Sequence, residues 1–243
     1  MGDKTVVFIS DIHGNIEALE KVLEQLSEEE IYCLGDTVGY GPQPKRCVEL
    51  VRSISSGTTM GNHDAAVAEE LDYSSFNPVA RRLTDWTRGR LGSEQLRYLR
   101  NLPRSLERKQ FQLFHGSPTQ PLRQYVEAPA DIQNAFSEAD APVLLGLGHT
   151  HKPYLYRVDG EKYLRPPASP GKKIKISSGG AVLNPGSVGQ PRDGDPRASF
   201  ARYWPESSEV AFYRVQYNID RVCKEIEARE FPPFLCERLR EGY

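Results

Sequence analysis

The stretch Val6-Val7-Phe8-Ile9-Ser10-Asp11-Ile12-His13-Gly14-Asn15 constrains the fold more than any other part of the chain. Its apolar, β-branched opening predicts a buried strand. The run stops at a carboxylate and an imidazole two positions apart, followed by glycine. Asn15 then offers a cap to a helix whose apolar face is Ile16, Leu19, Leu23 and Leu26. A strand that passes directly into a helix opens an α/β unit, so Asp11 and His13 fall at a strand's carboxyl end, where such sheets bind ligands. Strand alternation would aim both side chains to one face. In isolation they read either as an oxygen and a nitrogen ligand for a divalent ion or as a helix cap beside a packed imidazole.

The same grammar recurs along the chain. Ile31-Tyr32-Cys33-Leu34 predicts a second strand and ends in Gly35-Asp36. A helix over Arg46 to Ser53 then returns across the sheet, implying right-handed parallel crossovers. A third short strand ends in Gly61-Asn62-His63-Asp64, where Asn62 offers a neutral oxygen and Asp64 an anion next to an imidazole. Residues 65–102 read as helices, a small cap-like segment beside the sheet, with Asn77-Pro78 starting one of them. Tyr73, Phe76 and Trp86 within it are either core or the lining of a substrate mouth. Arg104 to Lys109 and Phe111 to His115 read as a hairpin, and the second strand closes on His115-Gly116. A helix follows over Ala130 to Ala139. The apolar run Val143 to Gly148 ends in His149-Thr150-His151, repeating the spacing of Asp11 and His13.

Beyond Pro153 the pattern becomes antiparallel. Asp159-Gly160 is a hairpin turn between Tyr154 to Val158 and Lys162 to Arg165. Pro166 to Lys173 reads as a mobile loop. Strands are expected over Ala181 to Asn184, Arg197 to Trp204 and Val210 to Tyr217, and a last helix over Ile219 to Arg229, stopped by Phe231-Pro232-Pro233. No linker divides the chain, so residues 1–243 are expected to form one domain.

Charge and cysteine content narrow the partners. A net charge of −2 provides no basic footprint for nucleic acid or an anionic membrane. No apolar run approaches a membrane span, and a first strand starting near residue 5 leaves no room for a signal peptide. Cys33, Cys47, Cys223 and Cys236 form no CxxC pair and read as reduced thiols, so a cytoplasmic location is expected. The chain holds only 5 histidines, and each is placed at the end of an expected strand, next to Asp, Asn, Thr or Gly. Arg192 reads either as a contact to substrate phosphate or, preferably, as a surface-turn residue paired with Asp193 or Asp195.

The five segments Asp11-x-His13, Gly35-Asp36, Gly61-Asn62-His63-Asp64, His115-Gly116 and Gly148-His149-x-His151, taken in order, resemble the calcineurin-like metallophosphoesterases. The stretch Asn184 to Arg197 further resembles the small single-domain prokaryotic branch. The resemblance implies an α/β fold in four layers, two mixed β-sheets face to face and flanked by helices, in place of one open parallel sheet. It also implies two divalent ions. One is held by Asp11, His13, Asp36 and His151, the other by Asp36, Asn62, His115 and His149, so that Asp36 bridges them. Ligands of this kind suit manganese first, with iron, zinc, nickel and cobalt open. The function implied is a phosphodiesterase or phosphatase acting on a small phosphorylated substrate, with a metal-bridging hydroxide attacking phosphorus. His63, left without a metal, assists the leaving group, and Asp64 orients it and keeps it charged; a supporting role behind the ligands is the alternative for His63. A nuclease and a non-catalytic scaffold are the competing functions; the first lacks a basic groove, and the second is expected to have lost ligands.

Overall fold

Residues 6–9 form β1 (Val6–Ile9), and all four side chains are buried because the strand is covered on both faces. Val6 and Phe8 point into one apolar layer and Val7 and Ile9 into another. The computed structural model describes residues 5–140, 143–166 and 169–243.

The parallel half expected from the first sixty residues is present. β1 pairs in parallel with β2 (Glu30–Cys33), and β2 with β3 (Ser55–Thr58), through the crossover helices α1 (Ile16–Leu23) and α2 (Pro44–Ile54). Asn15 caps α1 as expected, its Oδ1 accepting from the Ala18 amide at 3.2 Å. The sheet then continues antiparallel: β11 (Ala198–Trp204) lies against β1, β12 (Glu209–Val215) against β11, and the two-residue β9 (Ile174–Lys175) closes the edge. The second sheet runs in the order β4 (Ser105–Arg108), β5 (Phe111–Phe114), β6 (Leu144–Leu147), β10 (Ala181–Asn184), β7 (Tyr154–Asp159) and β8 (Lys162–Leu164). β5, β6 and β10 are parallel to one another.

The sheets meet face to face over Phe8, Tyr32 and Tyr203 from one side and Phe111, Leu113, Leu144 and Leu183 from the other. Phe8 and Phe111 meet edge to face at 5.3 Å between centroids. On the outer face of the first sheet, Val7, Ile9 and Cys33 pack against Leu19 and Val22 of α1 and Val51 of α2. On that of the second, Leu145, Leu147 and Val182 pack against Ile132 and Ala135 of α6 (Pro129–Glu138). Two mixed sheets with helices outside both are thus the architecture, as the resemblance implied.

Three helices follow β3: α3 (Asn62–Val67), α4 (Pro78–Arg88) and α5 (Ser93–Arg100). Asn62 and His63 therefore open a helix rather than end a strand. Trp86 of α4 packs on Phe231 beside α7 (Ile219–Ala228) and α8 (Phe234–Glu241), whereas Phe76 lies against His63. The prolines at 232 and 233 do not end the chain's helical structure. Pro233 caps α8, which buries Leu235 and Leu239 against Val222 and Ile226 of α7. Within Pro166 to Lys173, residues 167 and 168 lie outside the described residues. No described helix is long and apolar enough to cross a membrane.

Candidate metal centre

The carboxyl ends of β1, β2, β5 and β6 and the first turn of α3 deliver their polar residues to one edge of the sandwich. Three groups of side chains converge there among the described residues: Asp11 with His13 and His151, His13 with Asp36 and His63, and Asp36 with His115 and His149. Every one of these side chains is buried.

Strand pleating does not aim them. Asp11, His13, Asp36, His149 and His151 all have φ between 49° and 67°, in the left-handed region that ordinary residues avoid. Five site residues held this way mark the turns as imposed by their surroundings. The loop after β10 supplies much of that bracing. Ser187 Oγ and the Gly189 amide both donate to the Asp11 carbonyl, at 2.7 and 3.0 Å, and Asn184 Nδ2 donates to the Gly148 carbonyl at 2.6 Å.

Backbone carbonyls fix the imidazoles. His13 Nδ1 lies 3.2 Å from the Val38 carbonyl, His115 Nδ1 2.7 Å from that of Leu34, and His151 Nδ1 2.6 Å from that of Gln190. A carbonyl only accepts, so each Nδ1 carries a proton; neutral His13 and His151 turn an Nε2 lone pair inward, and His115 does so once a cation displaces the Nε2 proton that Asp36 otherwise accepts. Those lone pairs then face one another. His13 Nε2 is 3.0 Å from His151 Nε2, and His115 Nε2 is 3.0 Å from Asn62 Oδ1 and 3.2 Å from His149 Nδ1. Two lone pairs at that distance repel unless a cation lies between them. Two ligands at a right angle about an ion, with bonds of about 2.1 Å, are about 3.0 Å apart.

The carboxylates complete the pattern. Asp11 Oδ2 accepts from the His149 amide at 3.1 Å, while its Oδ1 is buried with no hydrogen-bond partner, 3.3 Å from His151 Nε2. Asp36 Oδ1 accepts from the His63 amide at 2.9 Å. Its Oδ2 faces both clusters, 3.6 Å from His13 Nε2 and 3.4 Å from His115 Nε2. An orphaned anionic oxygen, opposed lone pairs and one carboxylate oxygen between two groups fit a pair of divalent cations.

The electrostatics agree. Burial pushes Asp11 up to about 7, against the pull of His115. Burial also lowers His13 and His151 well below the usual imidazole range, and brings His149 to about 3 with help from His115. These three are neutral and free to ligate. His115 moves the other way: burial opposes its charge, but Asp36, which also accepts its hydrogen bond, raises it to about 9. Asp36 is held well below the usual carboxylate range because His115, His63 and His13 together outweigh its burial.

Two expectations need correction. Asp64 does not hold His63: its Oδ1 accepts from the Val38 amide and its Oδ2 from the Gly61 amide, each at 3.1 Å. Placed in the first turn of α3, that carboxylate clamps two loops where backbone donors outcompete a neighbouring ring. His63 is consequently not kept charged; burial lowers it, Asp36 is the anion opposing that, and Arg192 and His115 add to the fall. Arg192 is not paired with its neighbouring acids either. Asp193 is taken by Arg214, and Asp195 by Arg197, while Arg192 donates to Gln190 Oε1 at 3.0 Å beside the site. Tyr125, in the loop before α6, stacks on His149 at 3.8 Å between centroids although half exposed. Tyr40 lies against both His13 and His63.

Glycine permits the closest of these approaches. A Cβ on Gly61 would sit 2.0 Å from Asp36 Oδ1 and 2.2 Å from the Asp36 amide. Gly61→Ala is therefore expected to displace Asp36, costing about 1–3 kcal/mol in overpacking and weakening metal uptake. Denaturant unfolding and metal analysis check it, and unchanged metal content would mean the carboxylate tolerates the shift.

Mixed sheets packed face to face, with imidazoles and carboxylates gathered at one edge, define a metallophosphoesterase. The chain belongs to the calcineurin-like phosphoesterase superfamily, whose domain matches residues 5–207. It is 39% identical to the metallophosphoesterase from Sphaerobacter thermophilus, whose crystal structure superposes with a TM-score of 0.89 over the whole of both chains. An uncharacterised protein of Methanocaldococcus jannaschii is 35% identical over 246 residues, 98% of each chain. The symmetrical bis(5'-nucleosyl)-tetraphosphatase of Haemophilus influenzae is 25% identical over 157 residues, 60% of this chain and 57% of that enzyme. The match thus spans just over half of the tetraphosphatase.

Proposed function

We propose that this phosphoesterase works with two divalent ions on a small phosphorylated molecule. Asp11, His13, Asp36 and His151 hold one ion, and Asp36, Asn62, His115 and His149 the other. The observation that carries this reading is the single oxygen, Asp36 Oδ2, set between two groups of inward-facing imidazole nitrogens. Nitrogen and oxygen donors without thiolate suit manganese first, and iron, zinc, nickel or cobalt also. When bound, such ions polarise phosphoryl oxygens and acidify water.

The protein's own groups do the rest. The protonated Nδ1 atoms of His13, His115 and His151, tied to backbone carbonyls, keep the ligand set from reorganising during turnover. His63 lies beside Asn62 and lines a cleft of about 260 Å³ with Tyr40, Phe76, Leu122, Arg123 and Tyr125. In this reading His63 assists the departing oxygen and the aromatic rings hold its organic part, which the lining of the cleft supports. All four cysteines are free and buried, in keeping with a cytoplasmic enzyme.

The test is hydrolysis by the chain loaded with manganese, with p-nitrophenyl phosphate, bis-p-nitrophenyl phosphate and diadenosine tetraphosphate as substrates. The last is chosen because the Haemophilus relative is named for such substrates. Turnover of at least one, abolished by chelation and restored by the ion, is expected. Two bound ions per chain with no turnover of any phosphoester would refute the proposal.

A further inference from the structure

The guanidinium of Arg192 is a charged group beside the site that the ligand set does not use. Its backbone amide donates to the His151 carbonyl at 3.3 Å, and its Nη2 donates to Gln190 Oε1 at 3.0 Å. Gln190 also receives the His151 Nδ1 proton through its carbonyl, at 2.6 Å. One residue thus fixes both a metal-ligand candidate and the arginine next to it. The Nε of Arg192 is buried and meets no acceptor among the described residues. The carboxylates nearest in sequence are engaged elsewhere, Asp193 by Arg214 and Asp195 by Arg197 and Arg214. The charge of Arg192 is nonetheless felt across the centre, at Asp11, His13, His63, His149 and His151, and at the hydroxyls of Tyr40 and Tyr125.

An arginine without a carboxylate partner is odd at such a place. Two divalent ions would bring four positive charges to a centre whose carboxylates are Asp11 and Asp36, so the guanidinium adds to an existing excess. The arrangement is favourable only with a multiply charged anion between the ions and the arginine. A guanidinium presents its donors as a rigid planar fork and matches phosphate oxygens. We infer that Arg192, anchored by Gln190 and facing Tyr125, is a receptor for the third free oxygen of a phosphomonoester dianion. A diester has only two unesterified oxygens, so it offers the Arg192 fork no third one to hold. Arg192 therefore selects monoesters over diesters. The inference rests on the two-ion reading proposed above.

Binding of product-like anions tests it without turnover. Inorganic phosphate and dimethyl phosphate are titrated calorimetrically into the full-length chain loaded with manganese, for the native protein, Arg192→Ala and Arg192→Lys. Arg192→Ala is expected to weaken phosphate about 10–100-fold, the worth of a charge-assisted hydrogen bond, and to change dimethyl phosphate less than about 3-fold. Arg192→Lys should restore part of the phosphate affinity, because it keeps the charge and loses the fork. Equal weakening of both anions, no weakening of phosphate, or loss of manganese from Arg192→Ala would each overturn the assignment. Native protein that holds manganese yet binds no phosphate would instead overturn the phosphoesterase proposal from which this one starts.

Discussion

Asp36→Asn is expected to empty both metal positions at once and to reduce turnover by more than about 10³-fold, well beyond the roughly 10–100-fold that follows loss of an outer hydrogen-bond partner. The substitution preserves shape. An amide oxygen can still accept from the His63 backbone, as Asp36 Oδ1 does at 2.9 Å. What changes is the atom at Oδ2, where an NH₂ group would aim its protons at imidazole nitrogens now 3.4 and 3.6 Å away. Charge and lone pair are lost to both clusters together. A readout that needs no metal accompanies this. In the metal-free protein burial opposes the charge of His115, and Asp36 is the main partner that raises it, to about 9. Removing that anion leaves burial dominant, so the His115 titration should fall below the ordinary histidine range, as a proton NMR titration would reveal. Metal analysis showing one ion retained at full occupancy would mean that the carboxylate serves a single site.

The sequence revealed the site better than the sheets. Each ligand candidate stands where an apolar run gives way to glycine or to a helix start, a local signal that needs no knowledge of distant partners. Sheet order is not local. β1 finds its antiparallel neighbour in β11, with Phe8 opposite Ala201, and nothing within either segment specifies the other. Reading strand, helix, strand in succession therefore suggested an open parallel sheet, and only the resemblance to a family supplied the sandwich. The left-handed turns at Asp11, His13, Asp36, His149 and His151 were equally hidden, because they are enforced by loops such as residues 184–190 rather than by the residues that adopt them. Carbonyl partners at Leu34, Val38 and Gln190 carry no side-chain signature at all. Asp64 carries a local signal of its own: an acid three residues after Gly61, at the start of a helix, is a backbone-capping pattern, and it caps. Arg192 could not be placed from its neighbours because the acids beside it belong to Arg214 and Arg197, one of them far along the chain.

The second large effect is expected at His63, and it should depend on the leaving group. The ring stands edge-on to His13 at 5.0 Å and touches Tyr40 and Phe76 at 4.8 and 5.2 Å, so it is packed in place without its neighbour Asp64. Burial lowers its pKa, which makes the neutral imidazole the resting form and an N–H hydrogen bond its first contribution to the departing oxygen. A phosphate anion arriving beside it raises the pKa again and favours full proton transfer as the bond breaks. Either way the help matters most for a strongly basic leaving oxygen. His63→Gln is expected to slow hydrolysis of an alkyl phosphate by about 10²–10⁴-fold, the usual worth of general acid catalysis. It should slow p-nitrophenyl phosphate far less, since nitrophenolate departs without a proton. Metal content should be unchanged, although His63 lies in one group with His13 and Asp36 and is near enough to ligate. Loss of an ion from the variant would make His63 a ligand. Equal slowing of both substrates would assign it to holding the ring wall of Tyr40 and Phe76 instead of the leaving oxygen.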